Sequence, residues 1–211
     1  MAESATYWQQ LFTKTLRVTQ RWAAEQKRSE SVLAAASDFA SRLRLLSTHG
    51  AANGPLALPG TVELLRAKHV RGLENLMEAM RESVAAFTKL HLEIADMHEA
   101  AWRKHPGESS DAPTLVVVGA GRGLAEQRVL MPPPTHCCEW MGELDRLFLR
   151  ELLLKSQLVE RLAHDSPAAH VQQTLYLWKL QPSMCSSTLE RLRALASSLS
   201  LAGDGDGDAP E

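Results

Sequence analysis

The residues of this chain that could do chemistry cluster near its middle. Thr114, Leu115, Val116, Val117 and Val118 form an apolar, strand-like run that leads into Gly119, Ala120, Gly121, Arg122 and Gly123. Glycines placed after a strand let backbone N–H groups approach a nucleotide phosphate or S-adenosylmethionine at a helix N-terminus. One reading of the chain is therefore a small cofactor-binding enzyme centred on residues 118–123. That chemistry needs a parallel sheet of alternating strands and helices, whereas both flanks read as helical and Pro132, Pro133 and Pro134 cut off the element that should follow. The plainer reading is a β-prone loop or a short hairpin.

Other constellations fit chemistry less well. His136, Cys137 and Cys138 with distant Cys185 have the right atoms for zinc, but adjacent cysteines lack the two-residue separation that turns both thiolates toward one tetrahedral ion. Residues 203–208 alternate Gly and Asp like a calcium loop, without the later Glu that supplies bidentate ligation. No glycine-flanked serine elbow occurs, and His49, His69, His91 and His98 are scattered. Ser166-Pro167 is a minimal proline-directed kinase site and Ser156-Gln157 a minimal checkpoint-kinase site; Ser166 also reads as a helix N-cap with Pro167 in the first turn. No catalytic, cofactor-binding or metal-ligating residue is expected.

The elements that would carry these groups are helical. Aromatics make up 5% of residues and Ala, Leu, Glu, Arg, Ser and Gln dominate, a bias of extended helices. The 23 basic and 25 acidic side chains leave a net charge of −2, which disfavours direct binding to nucleic acid or an anionic membrane. The opening residues lack a signal-peptide core or a membrane span, and three cysteines, two of them adjacent, fit a reducing compartment. The expectation is a protein of the cytosol or nucleus.

Heptad-like spacing places Trp8, Leu11, Thr15, Val18, Trp22, Glu25, Ser29, Val32, Ala36, Phe39, Leu43 and Leu46 on one seam, predicting a helix over about 5–47. Breakers fill 49–60, and Thr61 offers a cap for a second helix over 61–103, with Leu73, Leu76, Met80, Ser83, Phe87, Leu90, Ile94, Met97 and Ala101 on its seam. Two helices of matched length predict an antiparallel hairpin over 1–103. Glu25, Ser29 and Ser83 interrupt the seams, either to set register or to face a helix of another chain. Residues 104–135 read as a linker or loop, 136–201 as a C-terminal helical region and 202–211 as a disordered acidic tail. The fold class is all-α: a long antiparallel hairpin plus a bundle of shorter helices. In that bundle, one helix from about Cys138 to Ala163 carries Trp140, Leu144, Leu147, Leu154, Leu158 and Leu162 on one side. A short helix follows with Val171, Leu175 and Trp178, and the last helix opens at Ser187.

Toward the C-terminus, Pro134-Thr135-His136, Glu139, the stretch from Phe148 to Lys155 containing Glu151-Leu152-Leu153-Leu154-Lys155, Leu162-Ala163-His164 and Trp178-Lys179-Leu180-Gln181-Pro182 resemble the end of the cyclin-dependent-kinase-interacting protein family. Ala5-Thr6-Tyr7-Trp8-Gln9-Gln10-Leu11, with Trp22 beyond it, is similar to that family's opening helix. The resemblance implies an adaptor without enzymatic activity, associated with cyclin-dependent and replication kinases and with a checkpoint kinase's partner. It also implies a subunit of an AAA-ATPase assembly that matures large ribosomal subunits and unfolds replisome proteins, located in the nucleus with a cytoplasmic pool. The candidate partner-binding residues are Trp8, Trp22, Leu152, Leu153, Leu154, Lys155, Trp178, Gln181 and Pro182, and a second small helical protein is the expected companion of the hairpin.

Overall fold

The computed structural model describes residues 2–49, 60–105, 113–118, 127–163, 166–184 and 187–200. Among the described residues, five helices carry the architecture: α1 (Ala2–His49), α2 (Thr61–Lys104), α3 (Pro134–Glu160), α4 (Ala168–Leu180) and α5 (Ser187–Ser200). The two long helices run within a few residues of the span that periodicity assigns them. α2 opens after Gly60, whose φ of +79° suits glycine and whose carbonyl accepts the Leu64 N–H at 3.0 Å. Thr61 is thus already helical and does not cap.

Of the two plainer readings of the middle segment, loop or short hairpin, the structure has the hairpin: β1 (Thr114–Val118) and β2 (Gln127–Met131), paired antiparallel with Val116 opposite Val129. A two-stranded antiparallel ribbon is not the parallel sheet that a dinucleotide or S-adenosylmethionine site requires. Gly119 to Gly123 lie outside the described residues, as do Cys185 and the tail from 201. α3 begins at Pro134 rather than near Cys138, because proline's fixed φ and missing N–H suit the first helical position; Cys137 N–H donates to the Pro133 carbonyl at 3.1 Å.

The chain divides into two compact units. The first comprises Met1–Arg21, Leu90–Leu149 and Ser183–Glu211. Its core holds Trp8, Phe12, Ile94, Met141, Leu144, Phe148 and Leu189, and α1 and α2 run antiparallel in it, with Arg21 paired to Glu93 and the Trp8 ring stacked on His105. The second comprises Trp22–Lys89 and Arg150–Pro182. There the same two helices are again antiparallel: Trp22 lies 4.4 Å from Phe87 between ring centroids, and the Phe39 ring closes over Gly72. Leu33, Met80, Val171 and Trp178 complete this core.

The buried seam of α1 follows the predicted one through Trp22 and again at Ser29 and Ala36, and departs from it between them. Beyond Trp22, Gln26, Leu33 and Ala40 turn inward, one residue later than Glu25, Val32 and Phe39. An α-helix turns in 3.6 residues, so a strict seven-residue repeat drifts by about 20° per heptad unless the helix supercoils. The shift also brings Gln26 inside, where it is used.

Phe87 is fully buried between Trp22 and Trp178. Phe87→Ala should cost about 3–5 kcal/mol in urea unfolding, whereas Leu64→Ala, at a side chain 74% exposed, should stay within about 0.5 kcal/mol. Similar losses at both positions would contradict this core.

Candidate functional site

The second unit contains a buried ionic centre. Glu151 and Lys155, four residues apart on α3, meet on one helix face with Nζ 3.2 Å from Oε1 and both side chains fully buried. Lys155 Nζ donates to Gln26 Oε1 on α1 at 2.7 Å. Gln26 Nε2 in turn donates to the Trp178 carbonyl and to Glu30 Oε1, each at 2.8 Å. The Trp178 indole N–H donates to Ser29 Oγ at 3.0 Å, and the Ser29 hydroxyl donates to the Glu25 carbonyl at 2.8 Å. The ammonium also sits 4.3 Å from the Trp178 ring centroid and 5.1 Å from that of Phe87, within cation–π range. One side chain thereby touches groups from α1, α2 and α4.

Burial pushes the Lys155 ammonium down to about 8, against the raising influence of Glu151 and Glu30. A lysine shifted this way has the acidity of a nucleophile or base. Here the amine is enclosed by carboxylate, amide and two aromatic faces with no exposed surface. The arrangement is suited to fixing helices rather than to meeting a substrate.

A second polar cluster lies in the first unit. Asp145 on α3 bridges two histidines of α2, with His91 Nε2 at 3.0 Å from one carboxylate oxygen and His98 Nδ1 at 3.4 Å from the other. Trp102 Nε1 donates to His98 Nε2 at 2.8 Å, which leaves the neutral ring's proton on Nδ1, facing Asp145. The imidazole packs over Gly142, where a Cβ would fall 2.9 Å from Nε2. In the same unit the Cys137 thiol is pushed up to about 12 by burial and by Cys138, so it stays protonated and inert. Among the described residues no group of three His, Cys, Asp or Glu is placed to hold a metal. Nor, among them, is any helix long and apolar enough to cross a membrane.

The sequence-selected partner residues separate by burial. Trp8, Trp22, Leu152, Lys155 and Trp178 are interior, packed within the chain itself and not displayed to another protein. Leu153 is 52% exposed, Leu154 and Gln181 are half-buried, and Pro182 is exposed. Gln181 ends α4 in the left-handed conformation, at φ 41° and ψ 59°, immediately before the proline. Successive residues lie about 100° apart around a helix, so only Leu152 of the three leucines turns fully inward.

Sequence reasoning missed Gln26, Glu151, Tyr176 and Leu180. Glu151 and Lys155 continue the steps Leu144, Phe148, then Leu158, Leu162 in phase, a signal hidden by leaving charged residues out of the seam. Tyr176 and Leu180, one turn apart on α4, are 66% and 50% exposed.

A family model described as ribosome biogenesis protein C1orf109-like matches residues 3–198. The chain belongs to that family. The C1orf109-like match spans both units and all five helices, and its description names ribosome biogenesis rather than a catalysed reaction. No curated protein matches the chain. Of what the C-terminal resemblance implies, the C1orf109-like match supports ribosome biogenesis and is silent on kinases, replication and checkpoint factors.

The ionic centre makes a signed prediction. Lys155 in the folded chain releases its proton near pH 8, while the unfolded chain keeps it to about 10.4. Between these values the unfolded state binds more protons, so the Lys155 contribution to stability rises with pH. Denaturant titrations from pH 7.5 to 10 should show that rise in the native chain relative to Lys155→Met. At neutral pH the single variant should lose about 3–5 kcal/mol by stranding a buried carboxylate, and adding Glu151→Gln should recover much of the loss. Parallel pH profiles would refute this account.

Proposed function

We propose that this chain is a non-enzymatic helical adaptor in ribosome biogenesis. The family match over 3–198 carries the reading. Support also comes from the Lys155 centre, whose ionisable groups are consumed in packing. A further support is the display of Tyr176 and Leu180 from a helix anchored underneath by Trp178. Large side chains on a fixed helix lose little freedom on binding and dominate interface energetics. Leu153 and Pro182 of the C-terminal block are exposed as well.

In its finer form, the proposal is that these residues dock on a second small helical protein and on an AAA-ATPase assembly that matures the large ribosomal subunit. The similarity to the cyclin-dependent-kinase-interacting family extends it to cyclin-dependent and replication kinases, to a checkpoint factor and to replisome unfolding. A nuclear location with a cytoplasmic pool belongs to the same proposal.

The test is a tagged Tyr176→Ala, Leu180→Ala chain used to capture proteins and large-subunit precursor particles from cells. Partner affinity should fall about tenfold or more, at about 1 kcal/mol or more per anchor, with thermal stability unchanged. Undiminished capture by a folded double variant would remove α4 from the docking surface. Loss with Gly119 and Gly121 changed, but not with α4 changed, would favour the glycine-rich segment instead.

A further inference from the structure

α4 carries two seams. The inner one holds Val171, Thr174 and Trp178, which are buried. Ser166, expected to cap this helix, does not: Pro167 takes the cap position, and Ser166 Oγ accepts the Ala163 N–H at 2.8 Å. On the side away from Trp178, Ala169, Gln173, Tyr176 and Leu180 are all exposed. They follow one another at steps of four, three and four, and at about 100° per residue they fall within a sector of about 60°. That alternation is the core spacing of a helix that pairs lengthwise with another. In a chain with 23% charged residues, the outer face of a helix that meets only water would be charged. This stripe has no charge, and the thirteen residues of α4 contain no Asp or Glu. Gln172 and Lys179 border it on one flank, His170 and Leu177 on the other. Asp165 before the helix and the acids of the 203–211 tail lie outside the described residues; the charge on α4 itself is that of Lys179, to which His170 adds when protonated.

We infer, resting on the reading of α4 as a docking surface, that this stripe is one half of a two-helix interface whose other half is an amphipathic helix of a different protein, with an apolar heptad stripe bordered by Asp or Glu. Three features select that occupant. Tyr176 and Leu180, large and exposed on a fixed helix, call for apolar side chains at the facing positions. Gln173 is a polar residue at one core position of the stripe, which favours a polar residue opposite and so fixes the register. Lys179 borders the stripe at the place where paired helices exchange salt bridges, and a carboxylate on the other helix satisfies it. A second copy of this chain does not meet the last requirement, because α4 brings no carboxylate to face Lys179. Ala169 and Leu180 lie about 17 Å apart along the axis, so about three turns of the partner helix cover the stripe. Over so short a contact, register and charge decide which helix fits.

The experiment places a photo-cross-linking amino acid at Gln172 or at His170, one on each flank, in the full-length chain within growing cells. Peptide mass spectrometry then locates the attachment. The expected target is a segment of another protein, apolar at alternating steps of three and four and acidic beside that stripe. With the target protein purified, Lys179→Glu should weaken binding about fivefold while melting like the native chain. Changing the facing carboxylate to Lys should restore the affinity of that variant. Cross-links confined to a second copy of this chain, to RNA, or to a segment without the stripe and its acids overturn the inference. So does the absence of a cross-link from both flanks, or an affinity that Lys179→Glu leaves unchanged. If the folded Tyr176→Ala, Leu180→Ala chain still captures its partners, the docking reading falls as well. If that capture is lost while the cross-linked segment is basic or irregular, only the occupant is wrong.

Discussion

The Lys155 ammonium is the constraint on which the second unit depends. It must be paired because it is fully buried, and the groups that pair it come from separate helices: Glu151 beside it on α3, Gln26 on α1, the Phe87 face on α2 and the Trp178 face on α4. Apolar packing tolerates small slips, since many arrangements bury similar area. A buried charge does not, because its attraction repays desolvation only in good geometry. Hydrogen bonds from Gln26 to the Trp178 carbonyl, and from the Trp178 indole to Ser29, extend that discrimination to the register of α4.

This explains the polar residues that interrupt the long seams. Ser29 and Ser83 are fully buried, and each has its partner inside the chain: Ser29 takes the Trp178 indole N–H, and Ser83 Oγ accepts from Arg28 at 3.1 Å. They serve register. What remains for another protein is the outer side of the same elements, where Tyr176, Leu180 and Leu153 stand exposed. Interior and surface are coupled on α4, since Trp178 fixes from beneath the helix whose opposite face carries Tyr176 and Leu180.

The first unit uses a milder version of the same device. Asp145 joins two histidines of α2 to α3, and the Trp102 indole orients one of them. Thr15 adds contacts to the sulfur atoms of Met97 and Met141, each at 3.7 Å, so α1, α2 and α3 share one polar point there as well. Long helices with few aromatics have little else to distinguish one register from its neighbour.

The sequence by itself determined the helical class, both long helices to within a few residues, the short helices and most of the seam of α2, because apolar periodicity and breakers act locally. It also named Trp8, Trp22, Lys155 and Trp178, as residues that bind partners. Tertiary structure decided that these residues lie inside. It moved the α1 seam from Glu25 to Gln26 and turned Pro134 from a breaker into a helix start. Each of these depends on partners far along the chain or on a backbone angle at one junction. A charged residue in a sequence reads as solvent-facing until its counter-ion, amide and aromatic neighbours are brought together by the fold.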